Sequence, residues 1–119
     1  MSRHDDLESL LPLPPATFHI LVSLSDADRH GYGIMQEVAQ RTGGRTKLNP
    51  GTLYTTIQRL LEKGLIVELN ERRDPEEEDE RRRYYRLTPD GRRAAQLELA
   101  RLTEMVALGR RAGLAQEEV

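Results

Sequence analysis

The chain has 119 residues, 37% of them hydrophobic, enough for one domain around one modest core. It has no cysteine, no apolar run long enough to span a membrane and no secretion-signal pattern in MSRHDDLESLL, so disulfides, thiol chemistry and a membrane span are excluded and a cytoplasmic place is expected. The formal net charge of −2 runs against the basic character usual in nucleic-acid binders, yet the charges are segregated: acids gather in the first thirty residues and over 74–80, whereas Arg45, Lys47, Arg59 and Lys63 surround a stretch whose only acid is Glu62.

Residues 1–13 read as a loose or partly helical arm, in which Leu7, Leu10 and Leu11 form a short amphipathic turn suited to docking on a partner. Pro12, Pro14 and Pro15 interrupt it. Pro14 or Pro15 opens the first firm helix, carrying Phe18, Leu21, Val22 and Leu24 to about residue 26, with Ile20 broadening the apolar face. DADRHG breaks that helix. A second helix is expected over 32–42, with Ile34, Met35, Val38 and Ala39 inward, ended by Gly43-Gly44. Residues 45–48 are short and suit a small strand.

Residues 49–64, NPGTLYTTIQRLLEKG, carry a marked start and stop: Asn49 as cap, Pro50 at the first helical position, Gly64 at the end. Leu53, Ile57, Leu60 and Leu61 follow the helical period. The opposite face holds Thr55, Gln58, Arg59 and Glu62, flanked by Thr52 and Lys63. It is small and polar near its start, where a helix entering a DNA groove makes its contacts. Taken alone, this pattern fits a surface helix packed on a core equally well. The preceding helix and short connection make it a helix-turn-helix candidate.

Two β-prone runs follow, 65–69 with Leu65, Val67 and Leu69 on one face, and 83–87 with Tyr85 and Leu87 on one face. The charged loop over 70–83 joins them as a wing. Thr88-Pro89-Asp90-Gly91 is a strong helix start, and the helix runs to about Gly109, or as far as Leu114. Ala95, Leu99, Leu102 and Val106 make a coiled-coil-like seam, and Leu97, Met105 and Leu108 add a second strip. That is more apolar surface than a small domain can cover, so a second copy is expected against Leu97, Leu99, Leu102, Met105 and Val106, with Leu7, Leu10 and Leu11 of the arm. The expected fold is mainly α with a small β-hairpin: one domain over 1–119, with an arm at 1–13, a winged helix-turn-helix at 14–88 and a dimerisation helix at 89–112.

No catalytic constellation, cofactor motif or metal-ligand spacing is present. His4, His19 and His30 are scattered, and the acidic run 74–80 lacks the glycine and alternation of a calcium loop. A nucleic-acid site is better supplied. Thr52, Thr55 and Gln58 can meet base edges or phosphates, and Arg59 can reach a guanine or a phosphate. Lys47, Asn49 and Lys63 lie at the ends of the same helix, and Tyr54 borders its two faces. Arg72, Arg73, Arg81, Arg82 and Arg83 flank the wing, placed either to straddle a DNA backbone or to neutralise the acids between them.

Three segments in order, HGYGI (30–34), GTLYTTIQRLLEKGLI (51–66) and RRYYRLTPDGR (82–92), resemble the PadR family of winged-helix transcriptional regulators. The resemblance covers roughly residues 15–110, and the single helix after the wing is similar to the smaller subfamily. It implies a homodimer that presents two recognition helices to a partly palindromic double-stranded operator. It also implies a repressor released by a small-molecule effector or a stress signal. By position, Thr52, Tyr54, Thr55 and Gln58 become DNA contacts; the glycines of His30-Gly31-Tyr32-Gly33 allow close backbone approach, and its tyrosine serves either the core or a phosphate. The long acidic wing departs from the family pattern, and the C-terminal helix has no aromatic residue on which a flat ligand could stack. The alternative reading is a winged-helix protein-interaction module without DNA binding.

Overall fold

The computed structural model describes residues 3–69 and 83–116. In chain order these form α1 (Arg3–Glu8), α2 (Pro15–Ser23), β1 (Arg29–His30), α3 (Gly31–Arg41), α4 (Pro50–Glu62), β2 (Ile66–Leu69), β3 (Tyr84–Leu87) and α5 (Pro89–Arg111). The strands make one antiparallel sheet in the order β1-β3-β2. Helices α2, α3 and α4 pack on one another, and α5 crosses behind α2 and β3. Ile20, Leu21, Ile34, Leu53, Leu60 and Ile66 meet at the centre and are almost wholly buried.

Local chemistry explains most of the element ends. Asn49 Oδ1 accepts from the Thr52 amide at 2.8 Å, and Pro50 takes the first helical position of α4. Gly64 closes α4 with φ at +72°, while Leu65 N donates to Leu60 O at 3.0 Å and Gly64 N to Leu61 O at 3.1 Å. That is the paired bonding of a Schellman stop, which needs the left-handed backbone glycine tolerates. Helix α2 ends earlier than its apolar pattern predicts. Ser23 and Ser25 hydroxyls donate to Ile20 O and Val22 O, each at 2.7 Å, and compete with continued helix.

The sheet corrects two expectations. Residues 45–48 form no strand; that stretch is a turn held by Thr42, whose hydroxyl accepts from Thr46 N at 3.0 Å. The third strand is Arg29–His30, inside the stretch expected only to break a helix, and it pairs with Tyr85 and Tyr84. In β2 the buried position is Ile66, not the alternate residues Val67 and Leu69. Leu65 is buried as the residue after the glycine stop, and Ile66 begins the strand facing inward, so Val67 is 43% exposed. A shift of one residue in a strand exchanges its faces.

The arm docks on its own chain. Leu7 and Leu13 are buried in the same core, and Leu10 and Leu11 pack half-buried against it. Leu7, expected between two copies, therefore has no surface left to offer a partner. Leu13 N also donates to Glu98 Oε1 at 3.3 Å. Glu98 is 2% exposed and accepts two hydrogen bonds from Arg101, each at 2.8 Å. Arg101, and secondarily the Leu13 amide, hold its carboxyl below the usual carboxylate range against the opposing effect of burial.

Helices α4 and α5 meet at one junction. Thr88 N donates to Leu65 O at 3.1 Å, and the Thr88 hydroxyl donates to Gly64 O at 2.7 Å while accepting from Gly91 N at 3.0 Å. Gly91 lies so close to the Leu65 carbonyl that a Cβ there would overlap it, and would also stand 2.8 Å from Leu87 Cδ1. Because the obstacle is backbone, Gly91→Ala is expected to cost about 2–3 kcal/mol in denaturant unfolding. Glu98→Gln is expected to cost about 1–3 kcal/mol at neutral pH. Glu98's folded-state pKa is lowered, so its contribution is present above the unfolded value and disappears as pH falls through the folded one. The difference between the two proteins should shrink over that acid range; a difference independent of pH would show that charge is not the cause.

Candidate nucleic-acid interface

The polar face of α4 is presented as its spacing predicts. Leu53, Thr56, Ile57 and Leu60 are buried, and Thr52, Thr55, Gln58, Arg59, Glu62 and Lys63 are exposed. The Arg59 side chain makes no ion pair or hydrogen bond among the described residues, and neither does that of the exposed Lys47 in the approach to the helix. Gln58 Nε2 donates to Glu62 Oε1 at 3.4 Å, a long surface bond that a base edge can displace. Asn49 spends its side-chain oxygen on the cap, leaving its amide nitrogen as donor.

Tyr54 is half-buried, with its ring against Gly31. A Cβ at Gly31 would stand 2.6 Å from the Tyr54 hydroxyl, so the glycine is what lets the start of α3 close on α4. His30 caps α3, its Nδ1 accepting from Gly33 N at 2.9 Å. The far end of α3 is tied to the end of α2 by charge. Arg41 Nη2 lies 3.1 Å from both oxygens of Asp26, its Nε donates to Glu37 Oε1 at 2.7 Å, and its Nη1 reaches Val22 O at 3.2 Å. Arg29 joins the cluster at 3.3 Å from Asp26 and 3.4 Å from Glu37, with its Nε on Ser23 O at 2.7 Å. The Arg41 hydrogen bond holds the Asp26 carboxyl below its ordinary value.

Three acids of this region are thus paired within the fold. Asp26, Glu37 and Asp28 are matched by Arg29, Arg41 and Arg86, the last at 2.8 Å from Asp28. Their fields are spent locally, while the cations at α4 point outward. At the base of the wing, Arg83 lies 3.6 Å from Glu68, an acid of β2 and not one of those over 74–80. Arg72, Arg73, Arg81 and Arg82, with the acids over 74–80, lie outside the described residues.

The residues expected to meet a second copy divide. On α5, Leu99, Met105 and Val106 are 57%, 56% and 55% exposed, Leu108 is also exposed and Leu102 is half-buried. Leu97 instead packs half-buried on its own core, as do Leu10 and Leu11. A groove of about 160 Å³ opens beside Leu99, lined by Phe18, Leu21 and Val22 of α2, Leu87 of β3 and Ala95 of α5. Among the described residues no helix is long and apolar enough to cross a membrane, and no cluster of His, Asp or Glu could hold a metal. Sequence reasoning missed Glu98, whose place on α5 next to apolar neighbours gave it the look of a solvated charge.

Residues 20–97 match the family described as the transcriptional regulator PadR-like family. A transcriptional regulator of Mycobacterium tuberculosis, Rv3488, is 43% identical over 76 residues, covering 64% of each chain. Across the curated relatives it matches, the chain spans from 24% to 64% of their length. Among solved structures, a transcriptional regulator from Clostridium thermocellum superposes with a TM-score of 0.68 at 22% identity, covering 90% of this chain and 93% of the other. A PadR family transcription regulator from Clostridium difficile gives 0.64 at 23% identity, covering 82% and 97%. At those identities the two structures support the fold.

Proposed function

The chain belongs to the PadR-like family of transcriptional regulators, and from that premise we propose that it binds double-stranded DNA as a homodimer, with α4 as the reading helix. The observation that carries the proposal is the outer face of α4. A short helix with a fixed N-terminal cap presents Thr52, Thr55 and Gln58 in its first turns, and an unpaired Arg59 behind them. Hydroxyl and amide groups at that end suit base edges and phosphates, and a guanidinium suits guanine or phosphate. Lys47 and Lys63 add positive charge at either end of the helix. Tyr54 acts mainly by packing, its position on Gly31 fixing the angle between the two helices of the motif.

The second half of the proposal is the partner. Leu99 and Val106 on one side of α5, and Met105 and Leu108 in a second strip on its later turns, are apolar and open in the single chain. Such a strip is favourable to cover, and two-fold self-association is the commonest way to cover it. A symmetric dimer through α5 holds two copies of α4 at a set separation, which matches a partly palindromic operator in double-stranded DNA. The protein then acts in the cytoplasm as a repressor, released by a small-molecule effector or a stress signal, and not as an enzyme.

Fluorescence anisotropy with duplex DNA from the gene's own upstream region tests the reading. Specific binding is expected, weakening steeply as salt rises. Arg59→Ala should lower specific affinity by about 1–3 kcal/mol if Arg59 reads a base; an unchanged affinity would return it to the solvent face. Val106→Asp is expected to convert dimer to monomer in light scattering without unfolding the protein, because Val106 is exposed in the single chain. Persistence of the dimer would place the interface elsewhere than α5.

A further inference from the structure

We propose that Lys47 is an acylation site: an acyl phosphate transfers its acyl group to the Lys47 amine and so weakens the hold of the α4 region on DNA. The control of binding rests on the DNA-binding reading above; the reactivity of Lys47 does not.

The chain carries sixteen arginines and only two lysines, Lys47 and Lys63, and these two stand at either end of α4. The distinction is chemical. A guanidinium stays protonated and is a poor nucleophile, whereas an amine can be acylated and then loses its charge. The ion pairs that tie the fold together use arginine: Arg29 and Arg41 with Asp26, Arg86 with Asp28, and Arg101 with Glu98. A reagent selective for side-chain amines leaves these pairs in place and acts at the ends of the proposed reading helix.

Of the two lysines, the surroundings favour Lys47. It is exposed in the segment ahead of α4 that is neither helix nor strand, and its side chain makes no ion pair or hydrogen bond among the described residues. The backbone on both sides is fixed: Thr46 N donates to the Thr42 hydroxyl at 3.0 Å, Leu48 packs against the core, and Asn49 caps α4. Two extended residues span about 7 Å, so the backbone of Lys47 is tethered to the start of the helix. No acid occurs between Glu37 and Glu62, and Arg45 is exposed two residues before Lys47. An acyl phosphate is an anion, and such a stretch attracts it. Lys63 follows Glu62 directly and ends α4, where the helix dipole is negative, so the same anion is held off.

The transfer is simple to balance. The Nζ lone pair of Lys47 forms a bond to the acyl carbon, and the bond from that carbon to the phosphate oxygen breaks. Phosphate leaves with the electron pair, and Nζ gives up one proton to water. The product is a neutral amide that no longer attracts a DNA phosphate.

The test treats the full chain with acetyl phosphate, follows each lysine by mass spectrometry, and titrates treated and untreated protein with fluorescein-labelled duplex from the gene's upstream region. Lys47 is expected to be acetylated roughly fivefold faster than Lys63 or more, by a margin that shrinks in high salt. The acetylated protein should bind roughly three- to tenfold more weakly, with the slope of log affinity against log salt shallower by about 0.9 for each modified copy. Lys47→Arg has no amine at that position, so the same treatment should change its own affinity by less than about twofold. Equal rates at the two lysines overturn the proposal. So does acetylation of Lys47 that leaves affinity and salt slope as they were, or a loss in treated Lys47→Arg equal to that of the wild type. If untreated protein binds no duplex at low salt, the DNA-binding reading falls and the control of binding falls with it, while the two rates still decide whether Lys47 is the acylated residue.

Discussion

The contact of Gly91 with the Leu65 carbonyl is the constraint on which the rest of the structure depends. It brings the end of α4 and the start of α5 into backbone contact, and Thr88 locks the same point through Gly64 O, Leu65 O and Gly91 N. The wing leaves the fold just after Leu65 and returns just before Thr88. Its root is therefore closed by hydrogen bonds that do not involve the loop itself. A long and strongly charged excursion over 70–82 can be carried there without altering the angle between α4 and α5, because loop length acts on the ends only weakly once they are clamped. That angle matters because one helix carries the proposed reading face and the other the proposed partner face.

Helix α5 serves two masters, and its sides are divided accordingly. Ala94 and Glu98 face inward, where Glu98 clamps the arm through Leu13 N and satisfies Arg101. The buried carboxylate is affordable because all its bonding partners are in place, which removes most of the cost of taking it out of water. Leu99 and Val106 lie on another side and stay exposed, whereas Met105 continues the face of Ala94 and Glu98 and is exposed because the buried part of α5 ends before it. The arm covers part of α5 from its own chain, so what remains open is a narrower strip than the apolar content of the helix implies.

Charge is organised by the same economy of local pairing. Asp26 and Glu37 belong to a cluster with Arg29 and Arg41 that ties the end of α2 to α3, and Asp28 is matched by Arg86 on β3. Neutralised groups contribute little field at a distance. The outward cations near α4 are then not opposed by the overall balance of the sequence, and a net negative chain can still offer a positive face. At the base of the wing Arg83 pairs with Glu68 as Arg86 does with Asp28.

Short-range chemistry was legible in the residues. The caps at Asn49 and Thr88, the proline starts, the Gly64 stop and the two faces of α4 each depend on contacts within a few positions, and so did the helical frame and the family. The long-range pairings were not. Arg29–His30 carries no strand pattern and becomes β1 only because β3 lies alongside it; β2 takes its phase from the helix stop before it; and the fate of Leu7 and Glu98 was decided by each other's element. The edge-on contact of His30 with Tyr84 is of the same kind, since the two are far apart in the chain and adjacent only in the sheet. The sequence by itself determined which helices form and which of their faces are polar, because those follow from local bonding and period. Which apolar face meets its own core and which is left open was decided by tertiary packing, because burial depends on what else arrives at the same place.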